Sequence, residues 1–349
     1  MNGMKLRLSF VAAVAVLGTV SACGATDGAG ATGDGAAGTT VVQYNSADAW
    51  ANYKAIRAAF KAESGITVPA DIKNSGQAIT AIEEQKAHPQ ADVGYWGVTF
   101  GIQAATKGLV ESYQPVGVGD VPADLKATDG SWVGVHYGVV AMLVNTKALK
   151  GAPVPQSWAD LLKPDYKDKV FYADPASAAI GYSTAVAVNV ANGGTEDNWA
   201  PGIKYFQDLK KNGAKAPTNT SPAKAASGEY PILIDTDFNG YNQKYNNNAP
   251  IEVVIPSDGT VKVVYTVGLV KGGPNPVGAK KWIDFLLSDK GQQMFAQFFV
   301  HPVRGTMPAE VTAKIAPQAA YDGARSVDFV KLSQAQAGFN ELYKKEVAG

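Results

Sequence analysis

Val41-Val42-Gln43-Tyr44-Asn45-Ser46-Ala47-Asp48 opens the informative part of this 349-residue chain. The first four residues form a strand candidate, and the next four carry helix-cap chemistry. Trp50, Tyr53, Ile56 and Phe60 then recur at helical spacing until Gly65 stops the helix. Ile66-Thr67-Val68 follows as the next strand. Asn74-Ser75-Gly76-Gln77 opens a second helix carrying Ile79 and Ile82, and Asp92-Val93-Gly94-Tyr95-Trp96 is another strand edge. Alternation of this kind predicts α/β architecture with buried, largely parallel strands.

The rest of the chain continues the alternation. Residues 132–145 and 261–270 are two long β runs, far apart in sequence, and are natural connectors between two α/β lobes. Ser157 caps a helix with Asp160 three residues on, a capping-box variant. Val170-Phe171-Tyr172 and Pro231-Ile232-Leu233-Ile234 are further strands. Asp174-Pro175-Ala176-Ser177 leads into a helix through Asn189, and residues 199–211 form another. Ala279, Trp282, Ile283, Leu286, Met294, Phe295 and Phe298 mark a terminal pair of amphipathic helices.

Upstream, Lys5 and Arg7 precede an apolar stretch over residues 8–18, too short to span a bilayer. Val20-Ser21-Ala22-Cys23 then resembles the lipobox of a bacterial lipoprotein, which implies cleavage before Cys23 and a lipid on its sulfur. Residues 24–40 are GATDGAGATGDGAAGTT, with almost nothing to bury, and behave as a tether. Lys plus Arg equals Asp plus Glu at 31 each; loss of Lys5 and Arg7 would leave 29 basic against 31 acidic residues. This balance gives no footprint for nucleic acid. With the single cysteine, Cys23, used for lipid, no thiol remains for a disulfide, thiolate metal site or nucleophile.

Val144-Asn145-Thr146-Lys147, Val154-Pro155-Gln156-Ser157-Trp158-Ala159-Asp160-Leu161-Leu162, Tyr166-Lys167-Asp168-Lys169-Val170 and Asp174-Pro175-Ala176-Ser177 resemble the middle of a bacterial extracellular solute-binding protein. Lys271-Gly272-Gly273-Pro274-Asn275-Pro276, Ala279-Lys280-Lys281-Trp282-Ile283-Asp284-Phe285-Leu286 and Gly291-Gln292 resemble its closing section. The branch is that of the ferric-ion, polyamine and aminophosphonate receptors of ABC importers, and the similarity runs over residues 41 to about 308. It implies a two-lobed type II periplasmic-binding-protein fold with two hinge strands and a ligand cleft. On that fold, residues 1–22 are the signal peptide, 23–40 the tether, 41–135 and 265–310 the first lobe, 140–260 the second, and 311–349 a C-terminal helical segment.

Three strand-to-helix turns would converge on the cleft, at Ser46, at Ser75-Gly76 and at Ser177. Free N–H groups at a helix start make such turns anion sites, while the same serines also serve as plain caps. Tyr95, Trp96, Tyr137 and Tyr241 are the aromatics expected at the cleft, where ring faces attract organic cations. Asp235 and Asp237 follow a buried strand, at the end where open α/β sheets bind ligands, and can neutralise an ammonium group. The same Asp235-x-Asp237-x-Asn239-Gly240 run matches half a calcium loop, but Asn246 stands at position twelve. Arg304 can anchor a carboxylate or phosphonate, or form a plain ion pair.

Iron-binding relatives use paired tyrosines, whereas Tyr241 and Tyr245 are four apart here; the histidines are His88, His136 and His301. No metal and no cofactor is expected. Enzyme signatures are lacking: Gly181-Tyr182-Ser183-Thr184-Ala185 falls inside a helix, and Glu83 and Glu84 point to different sides of theirs. The resulting expectation is a non-enzymatic, monomeric, lipid-anchored extracytoplasmic receptor. It would deliver a small cationic or zwitterionic solute, polyamine-like by preference, to ABC permease and ATPase subunits. An aminophosphonate or ferric-ion receptor and a non-transport ligand sensor are the alternatives.

Overall fold

The structure is a computed structural model that describes residues 38–349. Cys23, the expected signal peptide and the expected tether through residue 37 lie outside the described residues. The tether's last residues are already bonded: the Gly38 amide donates to Asn275 Oδ1 at 3.2 Å, and the Thr67 amide donates to the Thr39 carbonyl at 2.9 Å.

In chain order the elements begin with β1 (Gln43–Tyr44), α1 (Tyr53–Ser64), α2 (Ser75–Glu84), β2 (Val93–Gly97), α3 (Val98–Thr106), β3 (Val110–Glu111) and β4 (Val133–Asn145). There follow β5 (Val170–Tyr172), α4 (Ala179–Ala191), α5 (Ala200–Lys211), α6 (Pro222–Ser227), β6 (Ile232–Thr236), α7 (Asp237–Tyr241), β7 (Ile251–Val254) and β8 (Thr260–Val270). The chain closes with α8 (Pro276–Leu287), α9 (Asp289–Ala296), β9 (His301–Pro302), α10 (Ala309–Thr312), α11 (Gln318–Asp322), β10 (Ala324–Arg325) and α12 (Phe329–Tyr343).

The main strand order is β1-β2-β8-β4-β6-β5. The 13-residue β4 has two halves with different partners. Residues through Val139 pair antiparallel with β8, and Val140 onward pairs with β6 and β7. β8 is the other long strand, set between β2 and β4. The two long β runs of the sequence therefore lie side by side and carry the chain from one half of the sheet to the other. All but one residue of β4 is buried, which is why it reads as a near-continuous apolar run.

Two local expectations are corrected. Among the described residues most ladders are antiparallel; only β1–β2, β5–β6 and β10–β8 run parallel. Apolar alternation locates strands without fixing their direction, and here β4 and β8 oppose the strands they link. Residues Ile66-Thr67-Val68 make a single bridge, Thr40 to Thr67, and no strand.

Residues 45–48, read as capping the first helix, do not cap it: α1 begins only after Asn52, which makes no side-chain cap bond. Two other helix starts do follow their local chemistry. Asn74 caps α2 by accepting from the Gln77 amide at 2.9 Å, while Gln77 Oε1 accepts from the Asn74 amide at 3.0 Å. Ser157 and Asp160 bond reciprocally, the Asp160 amide to Ser157 Oγ at 3.1 Å and the Ser157 amide to Asp160 Oδ2 at 3.2 Å. Behind β2, Tyr53, Phe60, Trp282, Phe285 and Phe295 pack ring against ring and fix α1 on α8 and α9.

Residues after 311 do more than extend the surface. β10 adds to β8. The Ser333 hydroxyl of α12 donates to the Thr99 carbonyl at 3.0 Å, the Tyr182 hydroxyl of α4 donates to the Leu332 carbonyl at 2.7 Å, and the Tyr172 and Tyr343 hydroxyls meet at 2.9 Å. One helix is thus bonded to α3 on one side and to β5 and α4 on the other.

Candidate functional site

A cavity of about 130 Å³ opens between the turn preceding α2 and the turn preceding α4. Asn45, Ala47 and Trp50 line it from the segment after β1; Lys73, Asn74 and Ser75 line it from the start of α2. Ala173, Ala178, Ala179, Ile180, Asn219 and Thr220 face them, and Tyr265 of β8 forms a wall.

Asn45 takes a left-handed backbone, φ 66°, a conformation asparagine tolerates. Its amide donates to Asp71 Oδ1 at 2.9 Å, and its Nδ2 donates to the Tyr95 carbonyl at 2.9 Å. The Ser75 hydroxyl accepts from the Gly97 amide at 3.2 Å, which ties α2 to the end of β2. The two walls touch directly: the Gly76 amide donates to the Ser177 carbonyl at 3.1 Å, and Asn74 Nδ2 donates to Asn219 Oδ1 at 3.1 Å.

Two helices present their N-termini to this space. The backbone amides of Ser75, at the start of α2, and of Ala179 and Ile180, at the start of α4, have no acceptor among the described residues. Helix starts of this kind carry partial positive charge and stabilise anions. Lys73 is the one charged residue of the lining. Its ammonium group pairs with Asp71 Oδ2 at 2.7 Å and lies 4.0 Å from the centre of the Tyr44 ring. None of the lining residues is acidic.

Just behind the lining, Asp235 is buried, and its Oδ1 accepts from the Thr236 amide at 2.6 Å and from Asn239 Nδ2 at 2.9 Å. Burial pushes its pKa up to about 6, against hydrogen bonds from Asn239, Thr236 and the pocket-lining Thr220 that favour the carboxylate. On the opposite side Trp50 Nε1 donates to the Tyr95 hydroxyl at 2.7 Å.

The residues singled out from sequence divide into groups. Ser75 lines the cavity, and Gly76 and Ser177 form the contact between its walls. Tyr95 stands one layer behind, in contact with Trp50, and Asp235 stands behind Thr220. Ser46 is buried with its hydroxyl near the Gln43 and Pro69 carbonyls. Trp96 is a fully buried core side chain.

Buried Asp237 and Tyr241 and half-buried Tyr137 belong to a separate cluster. Asp237 Oδ1 accepts from the Val139 amide at 2.9 Å, and Oδ2 accepts from the Tyr321 hydroxyl at 3.0 Å with His301 Nε2 at 3.5 Å. Tyr137 stacks on His301, and the Tyr241 hydroxyl accepts from the Ala316 amide at 2.9 Å. Asp235 and Asp237 thus serve different neighbourhoods and do not converge as a calcium loop requires. Arg304 is remote from the cavity lining: it donates to the Leu287 carbonyl at 2.8 Å and pairs with Asp120 at 3.0 Å and Asp289 at 2.8 Å.

Trp50, Lys73, Asn219, Thr220 and Tyr265 were not singled out by sequence. Lys73 immediately before a cap asparagine, and the polar run Thr218-Asn219-Thr220-Ser221 between two prolines, were the available signals. Trp50 and Tyr265 gave none beyond core periodicity.

Comparison with known proteins gives the family and the fold. Residues 88–323 match the family model described as bacterial extracellular solute-binding protein. An uncharacterised protein of Haemophilus influenzae is 32% identical over 231 residues, 63% of this chain and 65% of that relative's length. A periplasmic protein of Salmonella typhimurium, assigned by name to 2-aminoethylphosphonate binding, is 29% identical over 276 residues, 77% of this chain and 79% of its own. The solved periplasmic binding protein AfuA of Actinobacillus pleuropneumoniae superposes with a TM-score of 0.74 at 24% identity, covering 89% of this chain and 98% of AfuA. That likeness establishes the two-lobed type II periplasmic-binding-protein fold, in which β4 and β8 are the crossing strands. Among the described residues, no helix is long and apolar enough to cross a membrane. By family-model match over more than half its length, the chain belongs to the bacterial extracellular solute-binding proteins, which are transport components and not enzymes.

Proposed function

We propose that this chain is the receptor of an ABC importer for a small zwitterion with an oxyanion head, of the aminoalkylphosphonate type. The observation that carries this reading is the pairing of two helix N-termini, with free amides at Ser75, Ala179 and Ile180, across a cavity whose lining holds Lys73 and no carboxylate. Several fixed N–H donors suit a phosphonate, whose three oxygens accept strongly. Trp50 and Tyr265 offer ring faces and edges to an organic or ammonium end. A polyamine, the solute favoured by the sequence's acidic and aromatic inventory, calls for carboxylates at the lining. Name-level assignment of the Salmonella relative adds support for the phosphonate class. A lipid on Cys23 would hold the receptor at the membrane face beside its permease.

Thermal unfolding of residues 23–349 in the presence of 2-aminoethylphosphonate, spermidine, ferric citrate or inorganic phosphate tests the reading. A ligand bound only by the folded state adds about 2.7 kcal/mol at a hundredfold excess over Kd, which raises the midpoint of a protein of this size by several degrees. A rise with 2-aminoethylphosphonate and none with spermidine is expected. The opposite pattern would overturn the oxyanion reading.

A further inference from the structure

We infer that Tyr95 and His136 are positioning residues that hold the Trp50 indole as a wall of the ligand cavity and couple that wall to the crossing strands. The inference rests on the cavity's being the ligand site, and it concerns two residues that stand behind the lining without forming part of it. Trp50 Nε1 donates to the Tyr95 hydroxyl at 2.7 Å, and that hydroxyl lies 2.7 Å from His136 Nε2. The phenol accepts from the indole and makes its second bond at His136 Nε2. The other imidazole nitrogen, Nδ1, has no partner among the described residues. Tyr95 and His136 are both fully buried, and burial keeps the imidazole neutral. The bonded chain therefore runs from the cavity wall through Tyr95 to β4.

The aromatic packing follows the same route. Tyr95 and His136 both stack on Tyr265, with ring centres 5.3 and 5.2 Å apart, and Trp50 meets Tyr265 edge-on at 5.3 Å. Tyr265 belongs to β8, and His136 sits at the irregularity in the β4–β8 register between Gly134 and His136. Bulges of this kind re-aim side chains. A third observation concerns the backbone after Trp50. Ala51 and Asn52 are both left-handed, with φ 44° and 63°, although neither is glycine. Ala51 is fully buried, and Asn52 Nδ2 is held by the Met294 carbonyl at 2.6 Å. Left-handed backbone is unfavourable for alanine, and such outliers persist where the surroundings over-determine them. The segment that carries Trp50 into the cavity is therefore clamped at its backbone and at its indole nitrogen.

The decisive measurement is the Trp50 indole N–H resonance of the ligand-free protein, assigned by its loss in Trp50→Phe. In Tyr95→Phe, which keeps the ring and removes only the hydroxyl, the resonance should move upfield and exchange faster with solvent. His136→Leu should move it in the same direction without touching the indole, and His136→Gln, which restores an acceptor, should return it toward the wild-type position. Titration with 2-aminoethylphosphonate should show about threefold to tenfold weaker binding for Tyr95→Phe, the loss of one aromatic contact's worth of affinity. An unmoved indole in Tyr95→Phe, or a moved indole with unchanged affinity, would overturn the inference. Failure of wild-type protein to bind this probe would count against the phosphonate reading, while the indole shift still decides the positioning role.

Discussion

The Gly76 amide donates to the Ser177 carbonyl at 3.1 Å, so the turns that open α2 and α4 meet through backbone atoms. A Cβ at Gly76 would lie 2.6 Å from that carbonyl oxygen, a distance that neither backbone can absorb without moving. Gly76→Ala is therefore expected to part the two walls. Binding of 2-aminoethylphosphonate should weaken about tenfold or more, equal to roughly 1.4 kcal/mol. Small-angle scattering of the ligand-saturated variant should give a larger radius of gyration than wild type. Identical radius and affinity would contradict the assignment of this contact to the ligand-competent arrangement.

Lys73 supplies the lining's only formal charge, already shared with Asp71 at 2.7 Å. Lys73→Met keeps an apolar stem and removes the ammonium group, together with its contact to the Tyr44 ring. Its side chain is one-third exposed, so the expected stability change is small, within about 0.5 kcal/mol. Oxyanion affinity should fall about tenfold, with a shallower dependence on ionic strength. Calorimetric titrations at low and high salt would check both. Unchanged affinity would place recognition wholly on the backbone amides.

How far the fold was legible follows from what each signal encodes. Caps and apolar runs are local chemistry, and Asn74, Ser157 and the two long β runs stand where their residues put them. Strand direction depends on partners distant in sequence, as Leu269 is from Val93, and the parallel expectation failed for that reason. At the site, Ser75, Gly76 and Ser177 were legible because cap chemistry and anion chemistry use the same residues at the same place. Asp237 and Tyr241 share a sequence neighbourhood with Asp235, but the helical turn after β6 aims them at His301 and Tyr321. Trp50 was readable only as one more helix-face aromatic, because its role depends on Tyr95 and on the left-handed turn at Ala51.

The pH dependence of stability carries two opposed contributions. Burial lowers the His136 pKa from 6.5 to about 3, so its contribution is complete above the unfolded value and is lost as pH falls from there toward 3. The loss approaches about 1.4 kcal/mol per pH unit. Burial raises Asp235 from 3.8 to about 6, so its contribution is complete below the unfolded value and is lost as pH rises through 6. His136→Gln should flatten the acid limb of urea-derived stability. Asp235→Asn should become progressively more stable than wild type as pH is raised from about 4 to about 8. Parallel stability–pH curves for wild type and both variants would refute the burial argument.

The helix α12 lies beyond the span of the family match, residues 88–323, yet it is bonded into the body of the protein. Phe339 is buried against Trp199, Tyr182 and Tyr343, with ring centres 4.5, 5.5 and 5.8 Å away. Ser333 and Gln336 on the same helix bond Thr99 and Gln103 at 3.0 and 2.8 Å. A helix held on both sides cannot melt without loosening α3 and α4 together. Phe339→Ala is expected to cost about 3–5 kcal/mol, and unfolding followed by fluorescence and by far-UV circular dichroism should remain one coincident transition at a lower midpoint. An α12 that merely decorates the surface would behave differently: it would melt in a separate early transition and leave the main midpoint within a degree or two of wild type. Ligand affinity is expected to fall with Phe339→Ala as well, because the Gly97 amide at the start of α3 bonds Ser75 and α4 begins at Ala179.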